Sequence, residues 1–289
     1  MEIYAVRPGD TLYSVAKKYS VDLSRLSAVN QLADPSRLAV GSALVIPGYA
    51  EGALRPAEVN GYAYPHISAA VLNATLPYLT FFCPFSYSMT ADGALIPIDD
   101  RPLVFSAYAA NTAPMMTVTN IGSTGGFSGD IAHAVFTDEA VQNRVLDNIL
   151  STLREKKYYG INFNIEYIHP FDREGYNAFL RHAADMFHPL GYYLSTAIAP
   201  KTSDAQGGLL YEAHDYAAHG EYMDRVIVMT YEWGYTYSPP QAVSPVDRIR
   251  RVLEYAVTKI PAGKLLMGFS NYGYNWTLPW RQGEAASVI

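Results

Sequence analysis

Tyr158-Tyr159-Gly160-Ile161-Asn162-Phe163-Asn164-Ile165-Glu166-Tyr167 alternates polar and apolar side chains from Ile161 to Glu166. In a strand, alternate side chains share a face. Asn162, Asn164 and Glu166 therefore line one face, and Ile161, Phe163 and Ile165 the other. A buried polar face is costly unless it is hydrogen-bonded, so this strand predicts either a structural polar layer or a functional site. Outward from it, apolar strands are expected at Glu58–Tyr64, Tyr78–Ser86, Met115–Asn120, Tyr193–Ala199, Val226–Tyr231 and Lys264–Phe269. Helical spacing of apolar residues marks Asp138–Lys156, Arg173–Phe187 and Val246–Thr258 between them. Repeated strand–helix alternation predicts an α/β fold with a parallel sheet. Seven such strands within residues 58–289 favour a TIM-type (β/α)8 barrel over a doubly wound sheet. No G-x-G-x-x-G opens a helix after a strand, which counts against a dinucleotide fold. In a barrel, Glu166 at the C-terminal end of its strand occupies the catalytic face. Partial burial there would raise its pKa and suit it to general-acid work.

The remaining length holds a second unit. Residues 1–48 end at Pro47-Gly48, and 49–57 read as a linker. In the small unit a strand at Ile3–Val6 meets a Pro8-Gly9 turn and a helix from Thr11. A second helix follows over Leu23–Val29, and Leu44-Val45-Ile46 closes the order β-α-α-β. The small unit holds five basic against four acidic residues, and the rest sixteen against twenty-three, so the negative charge belongs to the large unit. That balance argues against a nucleic-acid footprint. No apolar run of about 18 residues is present, so no membrane span is expected. The N-terminus lacks a basic stretch followed by an apolar one, so no secretory signal is expected in this chain. One cysteine, Cys83, excludes an internal disulfide and a multi-cysteine zinc site, and the seven histidines show no H-x-x-x-H spacing. No metal, cofactor or protein partner is implied.

Residues 1–48 resemble a LysM module through Pro8-Gly9-Asp10-Thr11-Leu12, Val15-Ala16, Tyr19, Asn30, Asp34-Pro35, Leu38, Gly41 and Leu44-Val45-Ile46-Pro47. The resemblance implies binding of N-acetylglucosamine-containing glycan, with Asp10, Thr11 and Leu38 as candidate contacts. The same Gly9-Asp10-Thr11 run is also a good turn and helix N-cap, which is the weightier reading of those residues.

The run ending in Glu166 resembles the catalytic strand of family 18 glycoside hydrolases, Asp-Gly-x-Asp-x-Asp-x-Glu. The final glutamate matches, and the three aspartates fall on Tyr159, Asn162 and Asn164. Met229-Thr230-Tyr231-Glu232 is similar to a second motif, Met-x-Tyr-Asp. Flanking blocks over about residues 58–280 resemble a narrower group, the LysM-bearing N-acetylglucosaminidases of bacterial spores. These blocks include Glu58–Pro65, Phe85-Ser86-Tyr87, Met229–Tyr235 and Met267–Tyr274. The resemblance implies retaining hydrolysis of peptidoglycan in the spore cortex by substrate assistance, which needs one catalytic carboxylate. Glu166 would be the acid and base, Asn164 the orienter of the acetamido group and Tyr231 its clamp. Asn162, Glu232, Trp233, Tyr235, Asn271, Tyr272 and Trp276 would bind sugar; tyrosine and tryptophan rings suit sugar faces. The implied location is the spore coat, the cortex or the cell wall.

Two features depart from the family pattern. Asn164 can accept the acetamido N–H but brings no charge to stabilise an oxazolinium. It also removes a like-charge push on Glu166. A comparable Asn-x-Glu pair serves family 85 endoglycosidases, so it can be a working variant. The second departure is extent: seven strands leave no clear eighth before Ile289, so an incomplete barrel is expected. These departures motivate the rival reading, a non-catalytic glycan-binding spore-coat protein. A chitinase is the third reading.

Overall fold

The computed structural model describes residues 2–32, 34–48 and 57–288. Strand β1 (Glu2–Ala5) pairs antiparallel with β2 (Ala43–Ile46), and helices α1 (Leu12–Tyr19) and α2 (Leu23–Val29) lie between them in sequence. The order is the expected β-α-α-β. Tyr4, Val6, Leu12, Val15, Ala16, Leu26, Leu44 and Ile46 form its core. Asn30 ties the second helix to β2: its amide donates to Leu26 O at 2.8 Å and Val45 O at 2.9 Å, and accepts from Val45 N at 2.7 Å. Of the expected linker, residues 49–56 lie outside the described residues.

The parallel sheet is built from β3 (Asn60–Ala63), β4 (Phe81–Pro84) and then β5 (Tyr87–Met89), which pairs with the short β6 (Leu95–Ile96). It continues through β7 (Ala113–Thr119), β8 (Gly160–Asn164), β9 (Tyr193–Ile198), β10 (Arg225–Val228) and β11 (Leu265–Met267). Helix α3 (Ala69–Thr75) follows β3, and α4 (Arg101–Ala109) precedes β7. Helices α5 (Gly129–Thr137) and α6 (Glu139–Lys156) connect β7 to β8, and α7 (Arg173–Phe187) connects β8 to β9. Helices α8 (Tyr216–Tyr222) and α9 (Val246–Ala256) flank β10. Ser68, Ser128, Asp138 and Asp215 cap α3, α5, α6 and α8 by accepting first-turn N–H groups.

All seven expected strands are present, and their hydrogen-bonded order is β11-β10-β9-β8-β7-β4-β3. Each of those neighbours is parallel. Pairing to β7 passes from β4 at its start to β5 at its end, so the bent β4–β5 segment acts as one strand. The β5–β6 hairpin was not expected. Glu58, just before β3, pairs with Arg225 at the start of β10, at 2.5 and 2.6 Å. The sheet therefore curls until its first and sixth strands approach. Phe81 and Tyr193 stack at 5.1 Å within that curl, with Tyr159 at 5.8 Å from Tyr193. Among the described residues no eighth parallel strand pairs with the sheet. The strands after β11, β12 (Gly273–Asn275) and β13 (Ala286–Val288), pair antiparallel with each other.

The chain divides into two compact units. One comprises Met1–Arg55, Thr230–Leu253 and Gly268–Ile289, and the other Pro56–Met229 and Glu254–Met267. The second unit contains the parallel sheet. Two packing features decide how tightly that unit is specified. A Cβ on Gly160 would stand 2.1 Å from Tyr193 O, so only glycine lets β8 and β9 approach at their starts. Gly160→Ala is expected to cost about 3 kcal/mol or more in urea unfolding, because the obstacle is backbone rather than a movable side chain. Just before α4, the buried Asp100 carboxylate takes Lys156 Nζ at 2.6 Å and the hydroxyls of Tyr87 and Tyr158, each at 2.5 Å.

Candidate active site

Strand β8 lies between β7 and β9, and its five residues are buried. Ile161, Phe163 and Ile165 are fully covered, and Phe163 meets Phe179 of α7 at 5.3 Å. That is the helix-facing side. Asn162 and Asn164 point the other way. Asn162 accepts from Tyr62 OH at 2.9 Å and donates to Ser195 Oγ at 2.8 Å, which joins β3, β8 and β9 through the interior. Asn164 differs: its Oδ1 is buried with no hydrogen-bond partner, and the residue is 7 % exposed. Leaving a buried acceptor unsatisfied costs about 1–3 kcal/mol. Thr117 Oγ1 and Asn60 Nδ2, on β7 and β3, are unsatisfied in the same way.

Glu166 stands two residues past the end of β8 and is half-buried. The ladder with β7 stops at Thr119 opposite Asn164, so the expected strand to Tyr167 is shortened. Asn120 takes over the pairing with its side chain. Its Oδ1 accepts from Glu166 N at 3.0 Å, and its Nδ2 donates to Glu166 O at 2.7 Å. Tyr167 then turns the chain with a φ of 54°. The buried Tyr176 phenol of α7 lies within electrostatic reach of Glu166: burial first, and that negative charge second, push its pKa up.

Behind the glutamate lie two buried imidazoles. His214 Nδ1 accepts from Ala199 N at 2.7 Å, and its Nε2 meets Ile165 O at 3.1 Å, which places the ring proton on Nε2. His219 Nδ1 meets Thr196 Oγ1 at 2.9 Å. Lys201, 1 % exposed, donates to His214 O at 3.1 Å, and burial lowers its pKa. Burial also lowers His214 to about 4 and His219 well below the ordinary histidine value. Between pH 6.5 and 4 the unfolded chain thus binds protons that the folded chain does not. Stability falls as pH drops through that window and levels off once it passes the folded value. His214 alone accounts for about 3 kcal/mol of this loss. Urea titrations at pH 7 and pH 4.5 are expected to show a smaller difference for His214→Gln than for the wild type.

The other proposed sugar-site residues belong to the other unit. Glu232 adopts a φ of 62°, and its Oε1 accepts from Tyr272 OH at 2.8 Å and Tyr274 OH at 3.0 Å. Burial, followed by the nearby Glu232, raises both phenols, Tyr274 to about 12. Trp276 Nε1 donates to Ser238 O at 3.1 Å, and its ring lies 6.0 Å from Tyr274. Tyr231 and Trp233 are half-buried, while Tyr235 and Asn271 are exposed. Trp233 and Tyr235 sit in a segment folded by the bonds Trp233 N to Val243 O at 3.1 Å and Tyr235 N to Ser238 Oγ at 2.9 Å.

In the β-α-α-β segment, Asp10 Oδ2 accepts from Tyr4 OH at 2.7 Å and Arg7 N at 2.8 Å. Thr11 forms a capping box with Ser14, and Leu38 packs against the core. These three residues therefore serve the local fold. Among the described residues no cluster of three or more histidine, cysteine or carboxylate residues is suited to hold a metal ion.

The family profile described as glycosyl hydrolases family 18 matches residues 105–285. The chain belongs to that family. Residues 4–47 match the LysM domain, so the chain of this family 18 glycoside hydrolase also carries a LysM module. It is 42% identical over 336 aligned positions to the cortical fragment-lytic enzyme of Bacillus subtilis, covering 98% of this chain and 78% of that protein. The crystal structure of the spore cortex-lytic enzyme SleL of Bacillus cereus superposes with a TM-score of 0.78 at 39% identity. That match covers 99% of this chain and 67% of the other. A class V chitinase of Pseudomonas fluorescens Pf-5 matches at 26% identity and a TM-score of 0.69, over 75% of this chain and 69% of its own.

In this family 18 chain, four residues around the β8 face escape sequence reasoning: Tyr62, Asn120, Ser195 and His214. Only Asn120 carried a signal, as the polar residue ending an expected strand. The others act through partners 33 to 100 positions away.

Proposed function

We propose that this glycoside hydrolase cleaves β-N-acetylglucosaminyl linkages of spore cortex peptidoglycan with retention of configuration. The observation that carries the reading is the buried, unsatisfied Oδ1 of Asn164 on the strand face that leads to Glu166. A substrate acetamido N–H is a donor of the right chemistry for that acceptor. In the first step the acetamido carbonyl oxygen bonds to the anomeric carbon while the glycosidic bond breaks. Glu166 gives its proton to the departing oxygen, and a cyclic oxazolinium forms. In the second step water attacks the anomeric carbon, Glu166 takes the water proton, and the bond to the acetamido oxygen breaks. One carboxylate suffices because the substrate supplies the nucleophile. Asn164 holds the acetamide in line with the anomeric carbon. Asn162, already bonded to Tyr62 and Ser195, supports the floor of the site.

The wider reading assigns 1–48 to glycan tethering and 58–289 to catalysis. Tethering raises the effective substrate concentration at the site without changing the chemistry. It places the protein at the spore cortex or cell wall, where its cortex-lytic relatives point. Mass spectrometry of cortex fragments incubated with wild type and Glu166→Gln tests the reading. Wild type is expected to release products with new reducing N-acetylglucosamine ends, and Glu166→Gln to release almost none. Binding of fragments without any new reducing end in the wild type would instead favour a non-catalytic glycan-binding protein.

A further inference from the structure

Glu166 lies beyond the last rung of the sheet, yet its backbone is held on both sides. Ladder pairing of β8 ends at Asn164 toward β7 and at Phe163 toward β9. Ile165 and Glu166 would otherwise present backbone groups to a buried environment without partners, which folded proteins avoid. Two side chains fill the gap. Toward β7, Asn120 both accepts from Glu166 N and donates to Glu166 O, as a neighbouring strand would. Toward β9, His214 donates from Nε2 to Ile165 O while Nδ1 accepts from Ala199 N, so the ring bridges the two strand ends.

Both groups are themselves fixed. Asn120 is fully buried; its Nδ2 also donates to Ser128 O at 2.9 Å, and its own carbonyl accepts from Ser128 N at 2.9 Å. His214 is 1 % exposed and precedes the α8 cap, Asp215. The next residue after the glutamate, Tyr167, bends the chain away in a left-handed conformation. A misplacement of about 1 Å in a reacting group can lower a rate by about 10²-fold.

We propose that Asn120 and His214 are positioning residues for catalysis, replacing the absent sheet neighbours of Ile165 and Glu166 and so aiming the Glu166 carboxyl. The inference rests on the proposed role of Glu166. Its consequence is a loss in kcat rather than in substrate affinity, because neither side chain is assigned a substrate contact. The two amide analogues of histidine separate its two bonds. His214→Gln can keep a donor at the Nε2 position for Ile165 O, whereas His214→Asn can keep only an acceptor at the Nδ1 position for Ala199 N. Each loses one hydrogen bond, so a role confined to stability would affect both alike.

Reducing-end release from soluble spore-cortex fragments, measured per folded molecule, tests the proposal in the full chain. Asn120→Ala is expected to lower kcat by about 10- to 100-fold at unchanged KM. His214→Gln is expected to keep most of kcat, and His214→Asn to lose about tenfold. If Asn120→Ala does not fold, the histidine pair decides. Equal kcat values for His214→Gln and His214→Asn, or wild-type kcat in folded Asn120→Ala, overturn the proposal. Glu166→Gln runs beside them. Its retaining full activity removes the catalytic reading and the positioning role together. Its inactivity alongside unimpaired Asn120→Ala removes the positioning role alone.

Discussion

Replacing Glu166 by glutamine is expected to lower kcat on cortex fragments by about 10²–10⁴-fold, with KM nearly unchanged. Glutamine keeps the size and the hydrogen-bonding reach of the side chain but cannot give or take the proton. Both steps of the proposed mechanism need that proton transfer, first to the leaving oxygen and then from water. The backbone restraints are untouched, because Asn120 bonds the main chain of residue 166 and not its side chain. The loss is therefore chemical. Steady-state kinetics with circular dichroism on the same samples separates it from unfolding. A residual rate within tenfold of the wild type would require another acid.

Asp100→Ala is expected to destabilise the protein by about 3–5 kcal/mol, the largest stability effect of the set. The carboxylate is fully buried and accepts from Lys156, Tyr87 and Tyr158. Its removal leaves the Lys156 ammonium, whose side chain is 13% exposed, without its counter-charge. Lys156 would retain Ile98 O at 3.2 Å and the Tyr87 hydroxyl, which do not neutralise it. Both phenols would also lose their acceptor. Burial raises their pKa values, and neither can relieve the site by ionising. Asp100→Asn keeps part of the hydrogen bonding and is expected to cost less. Urea unfolding at pH 7 measures both.

The strands and the long helices were legible because each carries a period. Helix α7 runs from Arg173 to Phe187 as its spacing predicts, and α6 begins after its Asp138 cap. Strand ends were not legible. Strand β8 stops at Asn164 and β10 at Val228, short of the expected Tyr167 and Tyr231; at β8 the ladder to β7 ends with Thr119 and side chains take over. That substitution depends on residues 46 and 49 positions distant, which no local pattern reveals. The three-residue β5 lacked enough length to show a period, yet it extends the bent strand beside β7.

The same limit governs the site. Glu166 and Asn164 were visible through the polar alternation of one strand. That Asn162 is satisfied by Tyr62 and Ser195 while Asn164 Oδ1 is not is a tertiary fact. In the LysM segment the outcome followed the elementary reading of the residues. Asp10 and Thr11 are a turn and a cap, and their polar groups serve the backbone beside them.

The most direct test of the account compares the hydrolysis of an N-acetylglucosamine oligomer with that of the same oligomer stripped of its acetyl groups. A substrate-assisted site requires the acetamido oxygen as nucleophile and its N–H as the donor to Asn164. Substrate assistance predicts new reducing ends from the acetylated oligomer and none above background from the deacetylated one. Comparable cleavage of both would contradict it.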